Sequence, residues 1–535
     1  MSSAALPVRA RWLMPLEVLF LGSVIVAWAL LVLWLGKDQS WDFRNYHWYI
    51  PYAYLNHRMG FDVAVAHQAT FYNPSLDIPF YLLATHAHAW MTLTVLGAVQ
   101  GSNIVPLYLL ARATVQTQPR KLFAGAIALF GMTGGLTLGL AGTTYYDNVM
   151  SVFVLSGLAA IVIHREALVS GTLLRGAIVA SLAGVITGMA VGFKLPEAIF
   201  AIGFGAALVL MPGDAKHRAA RTAAGFVGGA IGLLIVSLHW WIVMYHVTGN
   251  PLFPYFNQFF DSPLALNESY RDVRFLPHSL EHIVFFPLLF TIDWRVADDL
   301  GFQDLRVGAA YVLALATIPV VLLGKRNRDP LVSPQAAGAL FAFAGASYVI
   351  WIAVFAIYRY ILLLEMLAPL LIVCAVGLWP ISRRTQYILL GLVGVAAIAY
   401  TRPGWLPRAP VEDPYVSVDV PPIAHPDKTL VVMAGEAPMG YLVPSLPHRI
   451  PVLRIDGWMI QPQDGSKLTA ATKRRVAAWH GDIFLIANEY EIGRAAEALS
   501  DYGLAMRYLE CVDIEANLGG PYKFCPVERL KGTMP

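Results

Sequence analysis

The sequence predicts an α-helical polytopic membrane protein of about eleven transmembrane helices, followed by a small C-terminal α/β domain. Three observations predict it. Apolar residues make up 57% of the 535 and charged residues 14%, against roughly 45–50% and 25% in soluble domains. Long apolar runs recur along residues 1–401, and a proline-rich stretch then leads into a segment that alternates like strands. The net charge of +3 comes without a Lys/Arg block or aromatic-basic interleaving, which excludes a nucleic-acid surface and points to membrane lipids as partners.

The first run, Met14 to Gly36, is too long for the core of a signal peptide and lacks a small-residue cleavage site, so it reads as a retained anchor. Further spans are expected at 89–113, 122–141, 147–163, 174–193, 196–212, 222–245, 307–324, 336–357, 360–380 and 385–401. The basic segments are Arg9/Arg11, Arg112 with Arg120/Lys121, Arg165/Arg175, Lys216 with Arg218/Arg221, Lys325/Arg326/Arg328 and Arg383/Arg384. All fall on one side of such a layout, which puts the N-terminus in the cytoplasm and the C-terminal domain outside. Residues 37–88 and 246–306 are then long outer loops with interfacial helices; the stretch His282 to Ile292 is too short to cross about 30 Å of hydrocarbon.

Residues 402–428, rich in proline, read as an extended linker. In 429–535 the strand-like "TLVVMAG", "DIFLIAN" and "AMRYLECVDI" and the helix-like "EIGRAAEALSDYG" indicate an outer α/β domain. Cys511 and Cys525 both lie in it, whereas Cys374 lies within a span. In an oxidising compartment the pair reads either as a disulfide or as two buried thiols.

Ionisable residues gather on the outer side: Asp42 and Arg44 after the first span, Asp77 after "FYNPS", Asp147 in "GTTYYDN", Lys194 and Glu197 in "GFKLPEAIF", and Arg359 in "IYRYILLLE". Lys194 and Arg359 break the positive-inside pattern, so each is either a snorkelling or paired side chain or part of a phosphate site. Glu365, two turns deeper, costs at least about 2.5 kcal/mol unless paired, protonated or wet, and reads as a structural partner for Arg359 or another helix. In "WDFRNYHWYIPYAYLNHR" the residues Trp41, Trp48, Tyr49, Tyr52 and Leu55 recur at roughly helical spacing, as on a helix lying in the interface with aromatic anchors. Asp42 would either cap that helix or, sharing a face with Asn45 and Tyr46, do chemistry.

In "SWDFRNYH", "YYDNVMSVFVL", "GMAVGFK" and "YRYILLLEML" the chain resembles the GT-C superfamily of polyprenyl-phosphate-sugar-dependent glycosyltransferases. It is similar to bacterial members related to aminoarabinose, O-mannosyl and galacturonosyl transferases. The resemblance covers ten helices as a layout. It implies transfer of one sugar from a polyprenyl-phosphate donor to a glycan, lipid or protein acceptor at the outer face of the bacterial cytoplasmic membrane. The implied course is a single inverting displacement. A weakly nucleophilic acceptor hydroxyl needs a base within hydrogen-bond reach, the role of Asp42. The departing phosphate needs fixed cations, the roles of Lys194 and Arg359. Asp147 with Tyr146 would orient sugar or acceptor, Asn45 and His47 would meet hydroxyls, and Arg44 stays open between phosphate contact and salt bridge. No cofactor is implied with certainty. The first-loop acid is single where some members carry a pair, and a divalent metal ion would have to be held by Asp42 and Asp147 with a histidine.

Zincin, redox, NTPase and serine-hydrolase motifs are absent from the sequence. The rival readings are a lipid-linked saccharide flippase, an O-antigen-type ligase and a scaffold whose outer domain binds a partner. A transporter is expected to show repeated halves and broken helices at the midplane; here the polar residues cluster on one side instead.

Overall fold

The computed structural model of the chain describes residues 13–530; Arg9 and Arg11 lie outside the described residues. Helices form at all eleven expected positions. Only six, however, are long and apolar enough to cross a membrane: Pro15–Leu35, Ala89–Thr114, Leu173–Phe193, Ala215–Thr248, Pro334–Val354 and Tyr358–Leu378. Four more apolar helices are shorter, namely Asp147–Ile163, Leu195–Leu210, Leu280–Ile292 and Arg306–Leu322. The expected eleven spans are therefore corrected to six among the described residues. At 1.5 Å per residue a 17-residue helix such as Asp147–Ile163 reaches about 25 Å, short of about 30 Å of hydrocarbon.

The expected span 122–141 is broken for a chemical reason. Its helix stops at Gly131 and resumes as the short turn Gly135–Gly139. The amides of Gly135, Leu136 and Thr137 are taken by the carboxylates of Asp304 and Glu365 instead of by carbonyls of a preceding turn. Conversely, Ala215–Thr248 has 34 residues, about 50 Å, and overruns the expected 222–245 at both ends.

Small residues set the closest helix crossing. On Leu173–Phe193, Gly184 and Gly188 sit so near Gly225 and Gly229 of Ala215–Thr248 that a Cβ at either would strike backbone. Without a hydrophobic drive in lipid, such backbone proximity supplies the van der Waals contact that holds helices together. Within the span Tyr358–Leu378, the helix Leu362–Leu378 is buried at every residue, so the other helices pack around it.

The C-terminal domain is built on a seven-stranded sheet. Its strands are β3 (Val418–Asp419), β4 (Thr429–Ala434), β5 (Val452–Arg454), β6 (Asp482–Asn488), β7 (Leu504–Met506), β8 (Val512–Ala516) and β9 (Tyr522–Arg529), in the order β3-β8-β9-β6-β4-β5 with β7 paired to β9. β4, β5 and β6 are parallel; β9 runs antiparallel to β6, β7 and β8. Cys511 and Cys525 are joined in a disulfide, and Cys374 is a buried free thiol.

The 402–428 stretch is not a free linker. Arg408–Ala409 (β2) pairs with Lys37–Asp38 (β1), Val418–Asp419 pairs with β8, and the Tyr415 ring packs against Phe43, Trp48 and Phe80. The aromatic residues of 41–55 are likewise corrected. Trp48, Tyr49 and Tyr52 are core, covered by the 402–428 stretch and by the Gly440–Ser445 turn, where a Cβ on Gly440 would collide with the Asn45 carbonyl. Lipid contact and burial under a protein domain demand the same apolar spacing, which is why the pattern does not distinguish them.

The sheet domain is bonded to the 37–88 segment. Val63 donates its N–H to the Val452 carbonyl and accepts from Arg454 N, both at 2.9 Å. Nearby, buried Arg58 grips Asp62 through Nε and Nη2 (2.6 and 2.7 Å) and the carbonyls of His448 and Ile450. Taking these charges out of water is compensated by bidentate geometry and saturated donors.

Candidate functional site

Asp38, fully buried, accepts from Ser40 N through Oδ1 and from Thr144 N and Oγ1 through Oδ2. It thereby ties the start of the 37–88 segment to the 142–147 turn. Ser40 Oγ in turn accepts from Phe43 N at 3.3 Å. Ser40 is thus the capping side chain, while Asp42 makes no cap bond, and the capping account of Asp42 is overturned. Residues Phe43–His47 then form a π turn. In that wider turn positions i and i+4 keep company while i+3 lags behind. Tyr46 OH donates to Asp42 Oδ2 at 2.9 Å, whereas Asn45 points elsewhere.

Two cations meet this carboxylate and its surroundings. Arg359 Nη1 lies 3.5 Å from Asp42 Oδ2, and its guanidinium rests over the rings of Tyr145 and Tyr360, 4.8 and 5.3 Å from their centroids. Lys194 Nζ donates to Asp147 Oδ1 at 2.5 Å and to the Tyr145 carbonyl at 3.0 Å, and sits 5.4 Å from the Tyr360 centroid. Tyr145 and Tyr360 therefore bridge the two cations. Cation–π contact holds a guanidinium or ammonium without neutralising it.

Tyr146 is in the left-handed region (φ 62°), costing roughly 1–2 kcal/mol for a non-glycine residue. That reversal lets Tyr145, Tyr146 and Asp147 reach different neighbours at the start of the Asp147–Ile163 helix. Tyr146 meets the His47 ring edge-on at 5.1 Å, and His47 Nδ1 is 2.7 Å from Asp77 Oδ1. Among the described residues, Asp147 Oδ2, His47 Nε2 and Arg359 Nε are buried without a hydrogen-bond partner. Buried polar atoms are nearly always satisfied, and several unsatisfied around one locus mark a place built for something else to bind.

The electrostatics favour donors around Asp42. Burial, reinforced by the Asp42 charge, pushes the Tyr46 phenol well above its ordinary value, so it remains a donor. Burial also raises Asp77, against the opposing pull of His47. Asp298, in the 293–305 loop, accepts from Arg359 N at 2.8 Å; burial lifts it to about 6, the Arg359 charge opposing.

The structure thus brings Asp42, Arg359, Lys194, Asp147, Tyr146 and His47 together and leaves two expected residues out. Arg44 turns to the sheet domain, its guanidinium beside Gly519 and close to Tyr522, away from the other site residues. Asn45, buried, donates to the Ala66 carbonyl at 3.3 Å and meets no site residue; the π turn carries it off the Asp42 face. The metal option fails on the donor set. Asp42 and Asp147 are engaged by different cations, and no three His, Cys, Asp or Glu side chains among the described residues are grouped to hold an ion. Glu365 is bonded by Thr137 N, Thr137 Oγ1, Leu136 N and Tyr358 OH. It pairs with a backbone turn, not with Arg359.

Asp38, Tyr145, Tyr360 and Asp298 went unassigned in the sequence. Tyr145 and Tyr360 flank motif residues in "YYD" and "YRY" and were legible there; Asp298 carries no local signal. Comparison with protein-family models, with curated proteins and with solved structures finds no match to this chain.

Proposed function

We propose that the protein is a GT-C-like glycosyltransferase, moving a sugar from a polyprenyl-phosphate donor to an acceptor hydroxyl at the outer face of a bacterial cytoplasmic membrane. The observation that carries this reading is one carboxylate, Asp42, within 3.5 Å of a guanidinium, with a second cation, Lys194, across a shared tyrosine. A base and a pair of fixed positive charges are what transfer from a phosphate-linked sugar requires.

In this reading the donor phosphate lies between Arg359 and Lys194, displacing Arg359 from Asp42 and drawing Lys194 from Asp147. The freed Asp42 takes the acceptor proton as the acceptor oxygen bonds to the anomeric carbon. The bond from that carbon to the phosphate oxygen breaks, and polyprenyl phosphate leaves with the electron pair. Configuration inverts, and no covalent sugar-enzyme intermediate forms. Asp147 and Tyr146 border the sugar, and His47, held by Asp77, offers Nε2 to a hydroxyl. The orientation with the sheet domain outside rests on the distribution of Lys and Arg.

Reconstitution with a labelled synthetic polyprenyl-phosphate sugar and a panel of acceptors tests this. Formation of an inverted glycoside by the native chain is the expected result. Passage of the sugar lipid across the bilayer with no transfer would replace the proposal with a flippase.

A further inference from the structure

The carboxyl end of β5 lies against the 63–67 segment, where Arg454 donates to the Val65 carbonyl through Nε and Nη2. β5 is on one side of β4 and β6 on the other, so the chain leaves β4 and β6 in opposite directions. Open α/β sheets bind ligands at such a switch point. Here the seat an anion would use is already filled by the protein. Glu491 accepts from the amides of Glu436 and Ala437 at 3.1 and 2.9 Å, and a Cβ on Gly435 would collide with it.

The remaining charges are also spent internally. Arg494 bonds Asp456 at 2.6 Å and Glu436 at 2.7 Å, and buried Arg454 donates to the Gly435 carbonyl as well as to Val65. Neither arginine is left unbonded for a phosphate. What the edge does present is an aromatic stack: Trp41, His67 and Trp458 lie nearly parallel, with Trp41–Trp458 centroids 4.9 Å apart. Trp458 is 49% exposed, and the Glu436–Arg494 pair beside it is partly open to solvent. A flat apolar face bordered by neutralised, hydrogen-bonding groups suits a ring that is apolar on its face and hydroxylated on its rim.

We propose that this edge of the sheet binds an uncharged oligosaccharide, which, resting on the function proposed above, is the acceptor. Sugar rings stack on Trp458, and their hydroxyls bond Glu436, Asp456 and Arg494. Trp41, the inner ring of the stack, is the chain neighbour of Asp42.

The test is binding to the full-length chain in detergent without donor, read by tryptophan fluorescence and calorimetry, with cellohexaose, mannohexaose and chitohexaose as probes and inorganic phosphate and a nucleoside diphosphate as anionic controls. At least one hexasaccharide is expected to bind. Trp458→Ala should weaken it at least tenfold, Trp458→Phe should retain most of it, and Tyr508→Ala, at an exposed tyrosine away from this edge, should leave it unchanged. If Trp458→Ala unfolds, Glu436→Gln serves instead. No hexasaccharide binding, unchanged affinity in the Trp458 and Glu436 variants, or preference for the anions would overturn the proposal. Because binding is read without donor, it is independent of the reconstitution assay: glycan binding here with no sugar transfer there would sink the transferase and leave this subsite standing. Transfer without glycan binding would do the reverse.

Discussion

Two carboxylates, Glu365 fully buried and Asp42 half-buried, lie on opposite sides of one turn, Tyr358–Arg359–Tyr360. Glu365 takes Tyr358 OH, two backbone amides and a threonine hydroxyl. Asp42 takes one phenol and an arginine 3.5 Å away. The first is saturated by groups that cannot move without breaking the Gly135–Gly139 turn. The second is held by long side chains that can exchange partners. Fixed satisfaction suits architecture, and loose pairing suits the chemistry proposed for Asp42.

The sharpest way to break this contrast is Asp42→Asn, which is expected to cut sugar transfer by a factor on the order of 10³ while thermal unfolding and donor binding stay near native. Transfer at the native rate would deny Asp42 the proton. Next comes Arg359→Ala: losing a charged hydrogen bond to phosphate of about 2 kcal/mol is a factor on the order of 30 in donor affinity, measurable by titration with the donor lipid. Glu365→Gln should act on the other side of the comparison, lowering unfolding stability by about 1–2 kcal/mol because an anion facing backbone amides is lost, with donor affinity unmoved. Weakened donor binding in that variant would merge the two sites.

The last test is the pH dependence of Asp298. Its pKa is 3.8 ordinarily and about 6 in the fold. Between those values the folded chain holds a proton that the unfolded chain has released, so stability falls as pH rises through that window and levels off above it. Asp298→Asn should flatten unfolding curves recorded across pH 4–6; an unchanged slope would assign it to other groups.

Much of this was legible in the sequence. Asp42, Lys194 and Arg359 stand out because charges beside apolar runs are costly, and "YYD" and "YRY" carry the tyrosines that bridge them. The failures are equally particular. The helical spacing of Trp48, Tyr49 and Tyr52 is met by a protein cover as well as by lipid. The shared face of Asp42 and Asn45 holds for an α-helix but not for the π turn that forms. The expected span 122–141 is divided because Asp304 and Glu365, distant in sequence, capture its amides.

By itself the sequence determined the apolar helices, the sheet-bearing tail and the candidate charges, because hydrophobic periodicity and the cost of charge in hydrocarbon act locally. Only the tertiary structure decided how many helices are long enough to span, that Arg44 belongs to domain docking, and that Trp41 faces Trp458 while its neighbour Asp42 faces Arg359. Those outcomes depend on which distant groups compete for the same donors and surfaces, and local spacing carries no information about that competition.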